Sequence, residues 1–158
     1  MPLVEIVKSQ ETRDEILHQA AAFVTQIKRS PVIVGSQPGF LVNRILIPYL
    51  LEAMILLEEG VPADRIDQAA LDFGMPMGPI HLADTVGLDV CLSVGDILAE
   101  SLGRNVPSKL HQMVEDGHLG VKTGQGFYAY NKGKKVSTTV SDSDGDLRTP
   151  DLTDRLIL

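Results

Sequence analysis

Glu5 places a carboxylate in the middle of an apolar run, and such a group can serve chemistry. The run is LVEIV, from Leu3 to Val7. A carboxylate there is costly unless it meets water or a cationic partner. An edge position with one face in water would satisfy Glu5. A neighbouring histidine would also satisfy it, because a buried carboxylate can orient an imidazole that acts as a general base. Both interpretations remain open on the residues alone.

Asn43 is the second polar side chain in an unusual place, at the head of one of the most apolar segments of the chain. It falls in the first turn of a predicted helix, where backbone N–H groups have no internal partner and the helix dipole favours an acceptor. Its amide offers both a donor and an acceptor. The side chain can therefore satisfy its own helix end, or it can reach a ligand.

Other candidates carry weaker patterns. The segment Lys122–Gly126 contains a G-x-G but lacks the strand before it and the helix after it that a phosphate-binding loop needs. Cys91 lies in an apolar run, which favours a small core residue over a nucleophile. We predict no metal site, because the histidines show no metal-ligand spacing with one another or with Cys91. They are His18, His81, His111 and His118.

Composition and charge exclude several classes of protein. The 158 residues are 44% hydrophobic, and 14 Lys and Arg against 21 Asp and Glu give a net charge of -7. Nucleic acid is an unfavourable partner for this charge, since a cationic surface is needed to bind phosphates. The longest apolar stretch, 45–57, is shorter than the ~20 residues of a membrane span. One cysteine and no leader pattern indicate a reducing interior compartment.

The elements around Glu5 predict the end of an α/β domain. Residues 1–7 and 31–35 are short β-branched runs, and the segment between them has apolar residues at helical spacing. Two parallel strands and one helix leave sheet faces and edges uncovered. We therefore interpret residues 1–35 as the C-terminal edge of a larger α/β domain whose earlier strands precede Met1.

After Ser36 the pattern turns helical and predicts a mainly α domain over residues 36–130. The predicted helices are 41–59, 62–73, 88–102 and 107–116. Gly74–Pro79 is too rich in glycine and proline for regular structure. GVKTGQGFYAY, residues 120–130, predicts a turn and a short extended segment packed on the helices.

The end of the chain predicts a linker and an incomplete repeat. Residues 131–151 are polar and cannot repay the entropy of ordering. Residues 152–158, LTDRLIL, then match residues 41–47, LVNRILI, in their leucine, Asn or Asp, arginine and aliphatic positions. Chance can produce seven such positions. We interpret the match as the start of a second, truncated helical unit.

Four segments, in this order and at these separations, resemble the 3-hydroxyacyl-CoA dehydrogenases, most closely the α subunit of the multifunctional fatty-acid oxidation complex. The resemblance covers residues 1 to about 130. The four segments are MPLVEIV, PGFLVNRILIPYLLEA, GMPMGPIHLADTVGLDV and GVKTGQGFYAY. It implies a Rossmann-type NAD domain, here a strand-helix-strand remnant, followed by the helical domain that closes over acyl-CoA and forms the dimer contact.

Carried over by position, the resemblance assigns three site residues. Glu5 matches the glutamate that pairs with the active-site histidine, Asn43 matches the substrate-binding asparagine, and Lys122 matches a lysine near the nicotinamide cofactor. The histidine and the glycine-rich NAD loop are expected upstream of Met1. None of the four histidines of this chain stands at the matching position.

The resemblance also implies a reaction and its partners. The parent enzyme would oxidise an L-3-hydroxyacyl-CoA to the 3-oxoacyl-CoA with NAD, and this chain alone is expected to be inactive. Expected partners are a second copy or a second helical repeat, and a thiolase subunit in the parent complex. Expected compartments are the bacterial cytoplasm or the mitochondrial or peroxisomal matrix. The alternative function is a non-catalytic helical interaction module with the same fold.

Overall fold

The computed structural model describes residues 2–103, 105–136 and 149–157, which form two compact units, Met1–Ile45 and Leu46–Leu158. The first unit contains strand β1 (Leu3–Lys8), helix α1 (Asp14–Gln26) and strand β2 (Ser30–Gly35). The two strands pair in parallel, from Leu3 opposite Ser30 to Lys8 opposite Gly35. This arrangement confirms the predicted strand-helix-strand unit.

Helix α1 shows how incomplete the first unit is by itself. Its buried residues are Leu17 and Val24, whereas Ile16, Phe23 and Ile27 are 44%, 61% and 49% exposed. The exposed three recur at helical spacing, so α1 carries a second apolar face that this unit leaves in solvent. Such a face is typical of a helix that packs between further layers of a larger domain.

The second unit is helical, as the sequence predicts. Helix α2 (Val42–Glu58) begins in the first unit, and most of its length belongs to the second. The other helices and strands are α3 (Ala63–Phe73), α4 (Pro79–Val86), α5 (Leu88–Leu102), α6 (Ser108–Glu115), the hairpin strands β3 (Tyr130–Asn131) and β4 (Lys134–Lys135), and α7 (Thr149–Ile157). Helix α4 is absent from the sequence-based prediction. The glycine- and proline-rich segment that precedes it hides its start, although proline is well suited to the first helical position.

Two apolar clusters form the core of the second unit. The first contains Leu56, Ile66, Ile80, Leu152 and Leu156, and the second contains Leu50, Met54, Leu88, Leu98 and Leu110. Cys91 belongs to the second cluster at 1% exposure, so its prediction as a core residue is confirmed. Burial raises the pKa of its thiol to about 11, which keeps it protonated and unreactive at neutral pH.

The region predicted as a linker, 131–151, has structure at both ends. Strands β3 and β4 pair as an antiparallel hairpin through Lys135, and α7 begins at Thr149. Residues 137–148 lie outside the described part of the chain. Helix α7 packs on α3 and buries Leu152 and Leu156 in the first cluster. The polar composition of the segment gave no sign of the hairpin, whose partner strands are only two residues each.

Candidate active site

Glu5 lies on β1, half-buried, and its carboxylate holds the start of α2. The Oε1 atom accepts hydrogen bonds from the backbone N–H groups of Leu41 at 2.7 Å and Val42 at 3.2 Å. These N–H groups have no partner inside the helix, and the helix dipole attracts a negative charge at this end. The sequence predicts either an edge position or a histidine partner, and it does not predict this contact with a segment 36 residues away.

Only one oxygen of Glu5 is used in this way. Within the described residues, Oε2 makes no hydrogen bond. The carboxylate is therefore fixed at one oxygen and can accept a further N–H with the other. An imidazole N–H is a suitable donor to a fixed carboxylate oxygen. The carboxylate would then set the tautomer of the imidazole and stabilise the charged imidazolium form.

A strained turn brings α2 to Glu5. Phe40 N–H donates to the Gln37 carbonyl at 3.0 Å, and both Gly39 (φ 76°) and Phe40 (φ 48°) have left-handed backbone conformations. This conformation is easy for glycine, but it costs ~1–3 kcal/mol for a residue such as phenylalanine. Backbone strain of this kind is typical of functional sites, where a particular backbone conformation is required. Here it directs the first N–H groups of α2 toward the Glu5 carboxylate.

Asn43 follows directly after the two N–H groups that Glu5 holds. Its side chain is partly buried, and within the described residues it makes no hydrogen bond. The interpretation in which Asn43 satisfies its own helix end therefore has no support in the described structure. Its amide keeps both a donor and an acceptor for a ligand.

Lys122 lies in a 3₁₀ turn, Val121–Thr123, of the second unit and pairs with Asp89 in the first turn of α5. The two side chains are 46% and 40% exposed. The hydrogen bond from Lys122, together with its positive charge, lowers the pKa of Asp89. Gly87 has φ +106°, and a Cβ there would come within 3.2 Å of the Lys122 Nζ atom. The glycine therefore leaves room for the lysine ammonium.

The chemistry of the Lys122–Asp89 pair fits contact with an anionic group such as those of a dinucleotide. The half-exposed Lys122 ammonium can approach an anionic group of a dinucleotide, and Asp89 restricts its position. The sequence-based prediction did not include Asp89, although a carboxylate at a helix start is a recognisable signal. Within the described residues no cluster of His, Cys, Asp and Glu could hold a metal ion.

Two buried carboxylates, Asp84 and Asp67, connect the segments GMPMGPIHLADTVGLDV and GVKTGQGFYAY through hydrogen bonds. Asp84, on α4, is 1% exposed and accepts hydrogen bonds from the Phe127 and Tyr128 N–H groups, both at 2.9 Å, and from the Tyr130 hydroxyl at 3.0 Å. This contact explains why GVKTGQGFYAY packs against the helices. The sequence-based prediction missed it, because an aspartate within a helical segment resembles an exposed residue.

Asp67, on α3, is the second buried carboxylate and caps α4. It accepts hydrogen bonds from the Ile80 N–H at 2.8 Å, the His81 N–H at 3.2 Å and the Tyr128 hydroxyl at 2.8 Å. Burial raises the pKa of Asp67 and of Asp84, and burial together with the adjacent Asp67 carboxylate raises the pKa of Tyr128. The network therefore has a high electrostatic cost, which its complete hydrogen bonding offsets.

Gly78 and Gly126 lie so close to the buried carboxylates that a larger residue at either position would clash with them. A Cβ at Gly78 would lie 2.3 Å from the Asp67 side chain, and a Cβ at Gly126 would lie 2.1 Å from Asp84 Oδ1. His81 stacks on Tyr130 with ring centroids 6.2 Å apart, so its ring contributes to packing. GMPMGPIHLADTVGLDV and GVKTGQGFYAY thus describe one connected structure of the helical unit.

The first unit is a strand-helix-strand unit, and the second is mainly helical with one short hairpin. Comparison with known families agrees with both. The family model described as "3-hydroxyacyl-CoA dehydrogenase, C-terminal domain" matches residues 39–130, and that described as "3-hydroxyacyl-CoA dehydrogenase, NAD binding domain" matches residues 1–37. The chain belongs to the 3-hydroxyacyl-CoA dehydrogenase family.

Individual relatives show what share of a longer family protein this chain covers. It is 42% identical over 137 residues to the fatty acid oxidation complex subunit alpha of Vibrio vulnificus, covering 85% of this chain and 19% of the relative. The corresponding subunit of Shewanella amazonensis is 39% identical, with 90% and 20% covered. The chain thus spans about a fifth of the length of these relatives.

Solved structures confirm the fold. The (S)-3-hydroxybutyryl-CoA dehydrogenase of Ralstonia eutropha is 37% identical with a TM-score of 0.79, covering 84% of this chain and 48% of that structure. The 3-hydroxybutyryl-CoA dehydrogenase of Escherichia coli is 33% identical with a TM-score of 0.79, covering 90% and 32%. None of the helices in the described parts of the chain has both the length and the apolar character that a membrane span requires.

Proposed function

We propose that this chain supplies the substrate side and the dimerisation surface of an NAD-dependent L-3-hydroxyacyl-CoA dehydrogenase of fatty-acid oxidation. The glycine-rich NAD loop and the base histidine come from polypeptide outside these 158 residues. The observation that carries the proposal is Glu5, which is fixed to the start of α2 by one oxygen and keeps the other for a partner. Family membership supports the same assignment.

The reaction converts a secondary alcohol to a ketone. When bound, NAD would supply the hydride acceptor for C3 of the substrate. The base histidine would take the hydroxyl proton as the C3–O bond becomes a carbonyl. Glu5 holds that histidine through Oε2 and stabilises its imidazolium form. Asn43 donates its amide N–H to the reacting substrate, and Lys122 contacts an anionic group of the cofactor.

The expected size of each contribution follows from the chemistry. General base catalysis contributes ~10²- to 10⁴-fold to the rate. This chain can show that contribution only together with the NAD-binding half that carries the base histidine. Loss of one substrate hydrogen bond costs about 1–3 kcal/mol, or roughly 5- to 150-fold in rate. The chain alone should therefore have almost no turnover, and an assembled enzyme should depend strongly on both Glu5 and Asn43.

A complementation assay tests the proposal. The NAD-binding half of a family relative, carrying the glycine-rich loop and the histidine, is mixed with the full chain, and acetoacetyl-CoA-dependent NADH oxidation is followed. We expect turnover in the mixture and in neither component alone. Asn43→Ala should lower kcat/KM by about 5- to 150-fold, and Glu5→Gln should lower kcat by at least about tenfold.

Matched controls separate a site effect from a general one. Asn105→Ala and Glu11→Gln change an exposed asparagine and an exposed glutamate away from β1 and α2. Both should leave turnover within about twofold of the unchanged mixture. Association of the two components is measured separately by sedimentation. A mixture that associates but does not turn over would contradict the dehydrogenase assignment.

That outcome would favour the second candidate, a non-catalytic helical interaction module. Exposed apolar side chains support it, because Ile45 is 67% and Ile97 57% exposed. For the parent protein we propose membership of a larger complex that includes a thiolase subunit, since two of the relatives are named as subunits of a fatty acid oxidation complex. Co-purification of the parent with a thiolase activity tests this assembly.

A further inference from the structure

A cavity of about 290 Å³ lies in the second unit, between α3, the start of α4 and the β3–β4 hairpin. Cavities that hold small ligands measure about 300 Å³ or more, so this one suits a small metabolite. Its wall combines charged, polar and apolar side chains, which include Asp64, Gln68, Leu71, Met77, His81 and Lys135.

Helix α4 separates this cavity from Lys122 and Asp89. The cavity lies at the N-terminal end of α4, and Gly87, directly after the other end, contacts Lys122 and Asp89. The eight residues of α4 span ~12 Å at the α-helical rise. The cavity is therefore separate from the surface to which Lys122 and Asp89 belong.

Two opposite charges line the cavity without pairing with each other. Asp64, in the first turn of α3, makes no hydrogen bond or ion pair within the described residues. Lys135, on β4, makes no ion pair there either, and its Nζ atom lies 3.3 Å from the centroid of the Tyr128 ring. A carboxylate and an ammonium that line one cavity and do not meet can each bind the opposite charge of one ligand.

The second carboxylate of the wall, Asp67, is already committed to the protein. It is 6% exposed and accepts hydrogen bonds from the Ile80 N–H, the His81 N–H and the Tyr128 hydroxyl. The start of α4 also stabilises its negative charge through the helix dipole. The charges that remain for a ligand are therefore one negative group, Asp64, and one positive group, Lys135.

Uncharged groups complete the wall. Gln68 donates its Nε2 to Asp72 at 2.7 Å, and within the described residues its carbonyl oxygen makes no hydrogen bond. The ring nitrogens of His81 are also without hydrogen bonds in this part of the chain. The amide oxygen can accept from an ammonium, and the imidazole can donate to a carboxylate. Leu71 and Met77 add apolar surface, and methionine adapts to ligands of different shape.

We propose that this cavity binds a small zwitterion, an α-amino acid with an apolar side chain. The ligand's ammonium pairs with Asp64 and its carboxylate with Lys135, so that the ligand joins the two charges that the protein keeps apart. Its side chain lies against Leu71 and Met77. This proposal does not depend on the dehydrogenase activity.

Binding is measured on the full chain by NMR chemical-shift titration, with L-leucine as the probe. Each charge of the probe is then removed in turn, since N-acetyl-L-leucine lacks the ammonium and L-leucinamide lacks the carboxylate. We expect L-leucine to bind and each analogue to bind at least about tenfold more weakly, because each loses one charge-assisted hydrogen bond. Glycine, which lacks the apolar side chain, should also bind more weakly.

Two variants assign the partners of the ligand. Asp64→Asn should weaken L-leucine binding at least about tenfold but should not weaken N-acetyl-L-leucine, which has no ammonium to lose. Lys135→Gln should weaken L-leucine similarly but should not weaken L-leucinamide. The controls are Lys134→Gln, whose side chain points to the other side of the strand, and Asp116→Asn at the end of α6. Both controls should leave the dissociation constant within about twofold.

The analogue series uses the unchanged chain, so it tests the proposal even if a variant fails to fold by circular dichroism. No binding of L-leucine up to about 10 mM would overturn the proposal. Equal binding of L-leucine and both analogues would overturn it as well, since the cavity would then recognise the apolar side chain alone. The same conclusion follows if folded Asp64→Asn and Lys135→Gln variants bind L-leucine as tightly as the unchanged chain.

Discussion

Replacement of Asp84 by alanine should destabilise the helical unit by about 2–5 kcal/mol. The carboxylate accepts three hydrogen bonds, and two of their donors, the Tyr128 N–H and the Tyr130 hydroxyl, belong to residues that are 7% and 8% exposed. Each buried donor left without a partner costs about 1–3 kcal/mol. Removal of a buried charge returns part of this, because burial raises the pKa of Asp84 and so opposes its ionised form.

The sign of the pH dependence is also fixed. A carboxyl whose pKa is raised in the folded state contributes stability that is fully present below its unfolded pKa and is lost as the pH rises through its folded pKa. The deficit of Asp84→Ala should therefore be largest below the ordinary aspartate pKa of about 4 and should shrink as the pH rises. Urea denaturation followed by circular dichroism, repeated at several pH values, measures both quantities.

Asp116→Ala is the control, since it changes an exposed aspartate at the end of α6. Its free energy of unfolding should stay within about 0.5 kcal/mol of that of the unchanged chain. Asp84→Asn, which keeps the size but turns N–H groups toward donors, should lie between the two. A deficit of Asp84→Ala below about 1 kcal/mol, the typical effect of any substitution, would refute the reasoning.

Two further predictions concern single contacts. Gly126→Ala should lower the melting temperature by several degrees or more, because its Cβ would lie 2.1 Å from Asp84 Oδ1, whereas a Cβ at Gly35 meets nothing within 4 Å and Gly35→Ala should change it little. Lys122→Met should raise the pKa of Asp89 toward its ordinary value, measured by NMR titration of the carboxyl carbon, because the lysine hydrogen bond lowers it. An unchanged Asp89 titration would show that the pair does not form in solution.

The elements were predictable wherever local patterns decide them. The apolar spacing, with a leucine near the start and a glycine after the end, predicts the α5 bounds that the structure shows, Leu88–Leu102. Helix α4 was missed because its start depends on Asp67, which lies 13 residues before the N–H group that it caps. The sequence within α4 alone gives no sign of that contact.

The candidate site was predictable in its residues but not in its contacts. Glu5 and Asn43 are conspicuous as polar residues in apolar segments, and the family resemblance gave each a role. The hydrogen bonds from Glu5 to the start of α2 span 36 residues, so no local pattern could indicate them. The pairing of Lys122 with Asp89 spans 33 residues and was missed for the same reason.

The most direct test of the central claim is the turnover of acetoacetyl-CoA and NADH by this chain mixed with the NAD-binding half of a family relative. We predict that the mixture oxidises NADH while each component alone does not, and that Glu5→Gln lowers kcat by at least about tenfold while association stays intact. Equal turnover with glutamine at position 5, or no turnover from components that sediment together, would contradict the account.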